Sequence, residues 1–265
     1  MRTEIFVNSF YSNLNNFINQ IPNTFKRTGI TLQSGRNEVR LVNDDGLPLV
    51  VKYYKKITLI NRFIYATFRK SKARRAYENS KLLLMNDIST PQPIAYINTY
   101  RYGMLYQCYY ICVYTFYKPL RTLLDLPIPE SEEDLKAFAR FIYRLHRAGI
   151  LHDDLTIDNV LYQYNYRLID FMLIDNNRMR FRNYSYQRGL RNLERLKIPV
   201  DKMGVIAAEY ARVANVSDIR TLNGMVFFRL GYLFKVSIKQ RFKAFIHTLK
   251  GMHKITHIVK QNAIE

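Results

Sequence analysis

Tryptophan is absent from this 265-residue chain, and cysteine occurs only as Cys108 and Cys112. Two cysteines exclude a disulfide-rich scaffold of the kind found in small secreted proteins. They stand four positions apart in an apolar run, so on a strand they would share one face but lie too far apart to bond to each other. We therefore expect buried, reduced thiols and a reducing compartment.

Long apolar runs are missing as well. No uninterrupted apolar stretch reaches the roughly 18 residues that a membrane-spanning helix needs. The first residues, MRTEIFVNSFYSNLNNF, lack the basic start and apolar segment of a signal peptide. We also find no internal repeat and no low-complexity linker. The sequence therefore predicts neither a spanning helix nor a leader.

Acidic residues are outnumbered, with 21 Asp and Glu against 41 Lys and Arg, which gives a formal net charge of +20. A charge so far from zero favours an anionic partner, which could be nucleic acid, a phospholipid surface or a phosphorylated substrate. Apolar residues make up 48% of the chain and include 21 Tyr and 16 Phe. The length and this apolar fraction suffice for one large domain or two small lobes.

One short polar motif organises the rest of the chain. It reads His152-x-Asp154-Leu155-x-x-x-Asn159 and follows an amphipathic helical pattern that ends at Gly149. Asp154 could accept the proton of an acceptor hydroxyl, Asn159 could bind magnesium, and His152 could brace the loop by hydrogen bonding. The alternative is a polar turn between a helix and a strand. The pattern and its surroundings are typical of the catalytic loop of the kinase-like fold.

The distribution of strand and helix signals predicts an α+β, two-lobed, protein-kinase-like fold. Residues 1–24 are polar and rich in Asn, so we expect a loosely packed lead-in. Residues 25–116 predict an N-lobe with a small antiparallel β-sheet and one main helix, because strand patterns flank an Asp-Asp-Gly turn. Residues 117–265 predict a mostly helical C-lobe, with a helical tail from Val200 onward.

Lys52 lies on the strand after that turn, where a kinase-like fold places the lysine that holds the α- and β-phosphates of ATP. Its expected partner is Glu78, the only acid in an otherwise basic helical stretch. Two alternatives stay open at this point. Lys52 could be an exposed lysine at a strand end, and Glu78 could form a surface pair with Arg74 or Lys81.

The turn between the first two strands contains Gly35 and Arg36 but is not a G-x-G-x-x-G motif. The glycine would let the backbone approach a phosphate closely, and Arg36 would add positive charge. An ordinary hairpin turn explains the same residues equally well.

A second metal ligand should stand at the end of the strand that faces Asn159. Two acids qualify, because apolar runs end at Asp170 and again at Asp175. Asp170 resembles the start of the metal-binding motif of kinases, whereas Asp175 lies at the end of the apolar run and allows a longer hairpin. The residues alone leave both open.

Several further motifs resemble those of bacterial lipopolysaccharide core kinases of the Kdo/heptose kinase type, with the greatest similarity to Bacteroidetes-type members. The motifs are Gly35-Arg36-Asn37-Glu38, Asn61-Arg62, Arg69-Lys70-Ser71-Lys72-Ala73, Thr90-Pro91-Gln92-Pro93-Ile94, Leu145-His146-x-x-Gly149-Ile150-x-His152 and Leu173-Ile174-Asp175-Asn176-Asn177-Arg178-Met179-Arg180-Phe181. The resemblance covers roughly residues 25–215. It implies ATP and Mg²⁺ as cofactors, phosphorylation of a sugar hydroxyl on a lipid A-linked saccharide, and Asp175 as the metal ligand with Asp170 as the alternative.

After Asp175 there is no A-P-E motif and no long activation segment, which protein kinases use to dock peptides. This favours a small or lipid-linked acceptor. Basic residues that could hold its anionic groups follow instead: Arg178, Arg180, Arg182, Arg188, Arg191, Arg195 and Lys197. Some of these residues could equally form a solvated basic face.

Basic residues also alternate with aromatic ones at residues 60–72 and along the tail. We therefore expect an anionic membrane surface as a partner and a cytoplasmic, peripheral location at the inner membrane. The alternative for both segments is a helix whose apolar side packs in the core. Nucleic acid is a less favoured partner, because no RNA-binding motif is present. The sequence does not predict an oligomeric state.

Two other functions remain compatible with the sequence. One is a RIO-like or other small-molecule kinase with an RNA or ribosome partner. The other is a catalytically inactive pseudokinase, because the phosphate loop is atypical.

Overall fold

The computed structural model describes residues 1–55, 57–166 and 168–262, with side chains described through residue 246. Its first part is built on one six-stranded sheet with the order β1-β5-β6-β4-β3-β2, in which every neighbouring pair is antiparallel. The elements of this N-lobe are β1 (Arg2–Val7), α1 (Asn15–Thr24), β2 (Ile30–Ser34), β3 (Glu38–Asp44), β4 (Leu47–Tyr53), α2 (Leu59–Thr67), α3 (Lys72–Met85), β5 (Pro93–Arg101) and β6 (Met104–Val113).

Both faces of the sheet are covered, because side chains alternate between faces along each strand. In β6, Tyr109 and Ile111 belong to one apolar cluster, whereas Cys108, Tyr110 and Cys112 belong to another. Helix α1 contributes to the first cluster and α3 to the second. The two cysteines are buried and free on the same face, as their spacing predicts.

Residues 1–24 are not a loosely packed lead-in, so this expectation is wrong. Strand β1 pairs along its whole length with β5. In α1, Ile18 and Ile21 are completely buried. The segment also supplies Leu14, which is 2% exposed in the same apolar cluster. The polar composition is misleading because the few apolar residues of α1 all face the sheet, while its Asn and Gln residues face solvent.

The second part of the chain is mostly helical, and the α+β, two-lobed expectation is confirmed. Its elements are β7 (Lys118–Pro119), α4 (Leu120–Leu124), α5 (Ile128–Arg147), β8 (Ile150–His152), β9 (Val160–Asn165), β10 (Leu168–Leu173), β11 (Met179–Phe181), α6 (Tyr186–Asn192), α7 (Val200–Ala214) and α8 (Asp218–Asn262). Helix α5 carries the predicted apolar stripe, and Leu135, Phe138 and Leu145 in it are completely buried.

Two short sheets of the C-lobe fix both ends of the polar loop 152–159. Strand β8 pairs with β11, and β9 pairs with both β10 and β7. Gly149 makes the turn from α5 into β8 possible. Its φ is +72°, and a Cβ atom there would lie 1.9 Å from the carbonyl oxygen of Arg182. A larger residue at position 149 would therefore disrupt the entry into the polar loop 152–159.

The predicted helical tail is interrupted once. Helix α7 ends at Ala214, the next residue Asn215 adopts a left-handed conformation, and α8 then begins at Asp218. The predicted helical tail reaches residue 265, but residues 263–265 and the side chains beyond 246 lie outside the described part. Among the described residues, no helix combines the length and the apolarity needed to cross a membrane.

Candidate active site

The loop between β8 and β9 is fixed by its own histidine. His152 is completely buried. Its Nδ1 accepts a hydrogen bond from the backbone N–H of Asp154 at 3.1 Å, so Nε2 carries the proton and donates to the carbonyl oxygen of Ile174 at 3.1 Å. Burial lowers the pKa of His152 and keeps the ring neutral, although the bond to Ile174 opposes this shift. The histidine therefore braces the loop, as the motif predicts.

The carboxylate of Asp154 faces two arginines of the C-lobe. Its Oδ1 accepts a hydrogen bond from Nη1 of Arg195 at 2.6 Å, and its Oδ2 lies 3.4 Å from Nη1 of Arg178. The Arg195 guanidinium also lies over the ring of Tyr232 in α8, 5.5 Å from the centroid. These contacts hold the carboxylate at the mouth of the loop, where it is 23% exposed and accessible to an acceptor hydroxyl.

Asn159 is oriented by the same loop. Its Nδ2 donates to the carbonyl oxygen of Asp154 at 2.8 Å, and its own carbonyl oxygen accepts from the N–H of Ile174 at 3.0 Å. Because the amide nitrogen is used in this way, the amide oxygen Oδ1 is left for another ligand. The second bond places Asn159 beside the end of β10, where Asp175 follows.

Asp175 connects the two lobes. Its Oδ1 accepts a hydrogen bond from Nζ of Lys52 at 2.6 Å and another from Asn177. Burial raises the pKa of Asp175, but the charge and hydrogen bond of Lys52, helped by His152 and Asn177, outweigh it and leave the pKa lowered. Asp175 is therefore ionised at neutral pH, and its hydrogen bonds to described residues all use Oδ1.

Hydrogen bonds from the N-lobe hold the segment after Asp175. Asn79 of α3 donates to the carbonyl oxygen of Asn176 at 2.6 Å. The Asn176 side chain donates in turn to Ser80 at 2.9 Å and to Thr90 at 2.7 Å. These residues are not part of the predicted site. Thr90 and Asn176 fall within the motifs of the family resemblance, but the sequence carries no sign of their mutual contact.

Glu78 is not the partner of Lys52. It accepts a hydrogen bond from Arg74 at 2.9 Å, which is one of the two surface pairings that the sequence left open as the alternative. A second hydrogen bond comes from Lys70 at 2.8 Å, which the sequence did not indicate. The buried side of α3 consists of Ala73, Ala76, Tyr77, Ser80 and Leu83. This face fixes the rotation of the helix and turns Glu78 away from Lys52.

Asp170 also lies away from the other site residues. Its Oδ2 accepts from the hydroxyl of Tyr117 at 2.8 Å and from Ser89 at 3.3 Å, and its Oδ1 accepts from the N–H of Phe171. It stands opposite Gln163 in the β9–β10 hairpin. The structure thus brings Asp175, not Asp170, to Lys52 and Asn159.

Gly35 and Arg36 occupy the turn between β2 and β3. A Cβ atom at Gly35 would meet nothing within 4 Å, so nothing described in the fold requires glycine there. Arg36 lies near Lys72: burial is the main cause of the lowered pKa of Lys72, and the charge of Arg36 contributes to it.

A cavity of about 850 Å³ lies beside the catalytic loop. Nine Lys and Arg side chains line it against two acids, Asp153 and Glu194. The cations are Arg69, Lys72, Arg75, Arg178, Arg180, Arg182, Arg188, Arg191 and Arg195. The cavity thus contains six of the seven basic residues that the sequence marks after Asp175, Lys197 being the exception. The contribution from residues 69–75 of the N-lobe is not predicted.

Sequence reasoning missed Asn192. Its Oδ1 accepts from the N–H of His152 at 3.2 Å, and its Nδ2 donates to the carbonyl oxygen of the same residue at 2.9 Å. Asn192 also contacts Nε2 of His146 at 3.3 Å. A single Asn in a basic stretch carries no sign of this long-range role, so only the fold reveals it.

Comparison with solved structures finds kinase-like neighbours. The structure "WaaP in complex with acyl carrier protein" matches with a TM-score of 0.60 at 15% sequence identity, over 90% of this chain and 99% of that one. A microcompartment-associated aminopropanol kinase matches with a TM-score of 0.46 at 12% identity, over 81% and 86% of the two chains. The MAP kinase LmaMPK10 from Leishmania major matches at 0.40 and 16% identity, over 82% and 66%. The first match confirms the kinase-like fold.

Comparison with curated proteins finds no match. A family profile described as "Lipopolysaccharide kinase (Kdo/WaaP) family" matches residues 32–216, well over half of the chain. Together with the fold and the clustered site residues, this match establishes that the chain belongs to the lipopolysaccharide kinase (Kdo/WaaP) family and is a phosphotransferase.

Proposed function

We propose that this protein transfers the γ-phosphoryl group of ATP to a hydroxyl of Kdo or heptose in the lipid A-linked inner core of lipopolysaccharide. The single observation that carries the proposal is the meeting of Lys52, Asp154, Asn159 and Asp175 in one cleft beside the arginine-lined cavity. Phosphoryl transfer depends mainly on positioning and charge. Lys52 provides a cation for the phosphates, Asp154 a proton acceptor for the sugar hydroxyl, and Asn159 and Asp175 two oxygen ligands for a metal ion.

Asp154 orients the sugar hydroxyl and accepts its proton. The hydrogen bond from Arg195 fixes the direction of the carboxylate, and His152 fixes the backbone beneath it. Lys52 holds phosphate oxygens of ATP, and its pairing with Asp175 directs its Nζ toward the proposed metal ligand. Hydrogen bonds within the chain support these roles, because they fix the positions of His152, Asp154 and Lys52.

Asn159 and Asp175 are the residues that would hold Mg²⁺. The described residues contain no cluster of three or more His, Cys, Asp or Glu suited to a metal ion. Mg²⁺ does not require one, because it is usually bound by one or two carboxylates together with substrate phosphates and water. The oxygen Oδ1 of Asn159 and the ionised carboxylate of Asp175 fit this demand. Bound there, the ion would supply charge neutralisation for the phosphate oxygens.

The acceptor carries anionic groups. A cavity lined by nine cations and two acids favours a ligand with several carboxylates or phosphates, and guanidinium groups bind both in a bidentate manner. Kdo has a carboxylate and lipid A has phosphates, so an inner-core saccharide matches the charge. Family membership favours this acceptor over the RNA or ribosome partner of a RIO-like kinase, and it favours an active enzyme over a pseudokinase.

The protein acts at the cytoplasmic face of the inner membrane, with α8 against the lipid. On its described part, Phe227, Phe234, Phe242 and Phe245 are between 60% and 71% exposed. Lys235, Lys239, Arg241 and Lys243 alternate with these rings. Exposed aromatic rings next to cations are typical of helices that lie on anionic membranes. This surface complements a negatively charged leaflet.

The experiment that tests the function follows transfer of labelled γ-phosphate from Mg-ATP to purified Kdo-bearing lipid A. We expect transfer by the wild type and loss of at least about three orders of magnitude in Asp154→Asn, because the hydroxyl proton then has no acceptor. Asp158→Asn is the matched control, since Asp158 lies in the same loop but forms an exposed pair with Arg121. Equal turnover in Asp154→Asn and the wild type would contradict the assignment.

A further inference from the structure

The N-lobe side of the cavity contains cations that have no acidic partner among the described residues. Lys72 and Arg75 stand in the first turn of α3 and line the cavity. Their neighbours Lys70 and Arg74, which face solvent, both pair with Glu78. Glu78 is the one acid of this helix, so the helix has no other carboxylate to pair with Lys72 or Arg75. Lys72 and Arg75 are left as half-buried, uncompensated charges.

Keeping these two charges in place costs free energy. The Nε atom of Arg75 is fully buried and makes no hydrogen bond. Burial lowers the pKa of both Lys72 and Arg75, and the positive charge of Arg178 lowers them further. A buried cation without a counter-ion is destabilising, and such arrangements concentrate at sites where a ligand supplies the missing charge.

Aromatic rings hold the two cations in position. Nζ of Lys72 lies 5.8 Å from the centroid of the Tyr54 ring, and the guanidinium of Arg75 lies 5.8 Å from that of Tyr65. Such contacts restrict the two side chains and reduce the entropy that is lost when an anion binds them.

Arg178 approaches the same place from the C-lobe. Its Nη1 is 3.4 Å from Oδ2 of Asp154, and its charge is near enough to affect both Lys72 and Arg75. An anion that Arg178 binds would therefore lie next to the carboxylate of Asp154. Lys52, Asp175 and Asp154 are not among the residues that line this cavity, but Asp154 contacts Arg178 and Arg195, which do line it.

We propose that Lys72, Arg75 and Arg178 form a subsite for an oxyanion of the acceptor, a carboxylate or phosphate on the saccharide that receives the phosphoryl group. The assignment to the acceptor rests on the proposed function. Because the anion would contact both lobes and cancel the repulsion between their cations, its binding would stabilise the contact that Lys52 and Asp175 already make between the lobes. A neutral sugar of the same shape would bind weakly.

The first test measures thermal unfolding of the full chain with inorganic phosphate as the probe. A ligand that binds the native state raises Tm, and we expect such a rise in the wild type. The rise should be lost in Lys72→Gln and Arg75→Gln but kept in Lys81→Gln, a matched control on the exposed face of the same helix. Without phosphate, Lys72→Gln and Arg75→Gln should unfold at or above the wild-type Tm, because repulsion is relieved. A rise that persists in both variants would overturn the subsite.

The second test separates the two possible sources of the oxyanion. With a non-hydrolysable ATP analogue and Mg²⁺ bound, the stabilisation by phosphate should persist if the anion belongs to the acceptor. Its disappearance would assign the subsite to the nucleotide and overturn the proposal. In transfer assays, Lys72→Gln and Arg75→Gln should each raise the acceptor KM roughly tenfold or more, since charge-assisted hydrogen bonds are lost. The KM for ATP should change much less.

The two tests also separate this inference from the proposed function. Phosphate stabilisation that depends on Lys72 and Arg75, combined with no transfer to Kdo-bearing lipid A, would support the anion subsite and reject the proposed acceptor. Transfer that is insensitive to both substitutions would support the proposed function and reject the subsite.

Discussion

Lys52 has one described carboxylate partner, Asp175, and not the glutamate that its place in the fold predicts. We therefore expect Glu78→Gln to leave the KM for ATP within about twofold and stability within about 1 kcal/mol, because exposed ion pairs contribute little. Lys52→Gln should raise the KM for ATP by roughly tenfold or more, because a charged hydrogen bond to phosphate is lost. Steady-state kinetics of both variants provide the comparison, and a Glu78→Gln enzyme with the defect of Lys52→Gln would contradict it.

Asp170 and Asp175 form a second matched pair, five positions apart in the same part of the chain. Asp175→Asn should abolish phosphoryl transfer, because the carboxylate that pairs with Lys52 and is suited to Mg²⁺ is removed. Asp170→Asn should retain transfer, since Asp170 instead binds Tyr117 and Ser89.

The readout for this pair is transfer measured across a series of Mg²⁺ concentrations. A shifted Mg²⁺ dependence in Asp170→Asn, with a normal one in Asp175→Asn, would reverse the assignment.

How far a site residue could be predicted depends on how local its contacts are. The grouping of His152, Asp154 and Asn159 could be predicted from a motif eight residues long, because the hydrogen bonds that link His152 and Asn159 to Asp154 form within one loop. The Lys52–Glu78 pair was wrong because the rotation of α3 depends on which residues pack against the sheet. A single acid in a basic helix gives no information about that packing.

At the scale of elements, α1 is the clearest case of a packed helix that the sequence does not predict and the structure shows. We expect Ile18→Ala to lower the free energy of unfolding by about 2–5 kcal/mol, because Ile18 is completely buried and its removal leaves a cavity. Asn19→Ala, at the next and exposed position, should change it by less than about 0.5 kcal/mol. Urea unfolding of both variants distinguishes an integral helix from a loosely packed lead-in, for which both changes would be small.

The signal for α1 was present in the sequence but weak. Leu14, Ile18, Ile21 and Phe25 recur at helical spacing and are all buried. The intervening residues are polar enough to dominate the composition, and Pro22 stands inside the helix. By contrast, α5 was predicted correctly because its stripe is longer and contains no internal interruption. Short helices with a narrow apolar stripe are therefore the elements that sequence patterns miss.

The contact between α5 and α7 should make stability depend on pH. Glu209 is 5% exposed and accepts hydrogen bonds from Arg212 and Arg140. These bonds, the one from Arg212 first, outweigh burial and lower the pKa of Glu209 from 4.5 to about 2. Because the folded pKa is depressed, ionised Glu209 stabilises the native state above about pH 4.5, and this contribution is lost as pH falls toward 2.

Glu209→Gln should accordingly be less stable than the wild type at pH 7, by an amount on the order of 2 kcal/mol, and the difference should shrink steadily below about pH 4.5. Urea unfolding between pH 3 and pH 7 measures it. Glu133→Gln, which removes an exposed partner of Lys136 on α5, is the control and should show little pH dependence. A constant difference at all pH values would assign the effect of Glu209 to packing alone.

At the scale of the whole molecule, the basic residues behind the net charge of +20 are grouped on particular surfaces, and the sequence predicts only part of this grouping. The basic residues after Asp175 converge on the cavity, as their position next to the catalytic motif predicts. Those at residues 69–75 reach the same cavity only because the N-lobe folds over it. The basic residues of α8 remain outside, next to exposed aromatic rings, so the molecule presents two separate basic surfaces.

The surface of α8 should bind anionic vesicles. We expect sedimentation with vesicles of phosphatidylglycerol and phosphatidylethanolamine, and little with neutral phosphatidylcholine vesicles. Binding should weaken as salt increases, because each cation near an anionic surface contributes roughly 1 kcal/mol that is screened. The double variant Phe234→Ser/Phe242→Ser should lose most binding, since both rings are exposed and available for insertion into the interface.

The matched control for this surface is Phe10→Ser/Phe116→Ser, which removes two rings elsewhere on the molecule that are 89% and 78% exposed, more than the two rings of α8. It should bind vesicles like the wild type, which would show that apolarity alone is not the cause. Absence of vesicle binding by the wild type, or equal loss of binding in the α8 variant and in this control, would reject the membrane as the specific partner of α8.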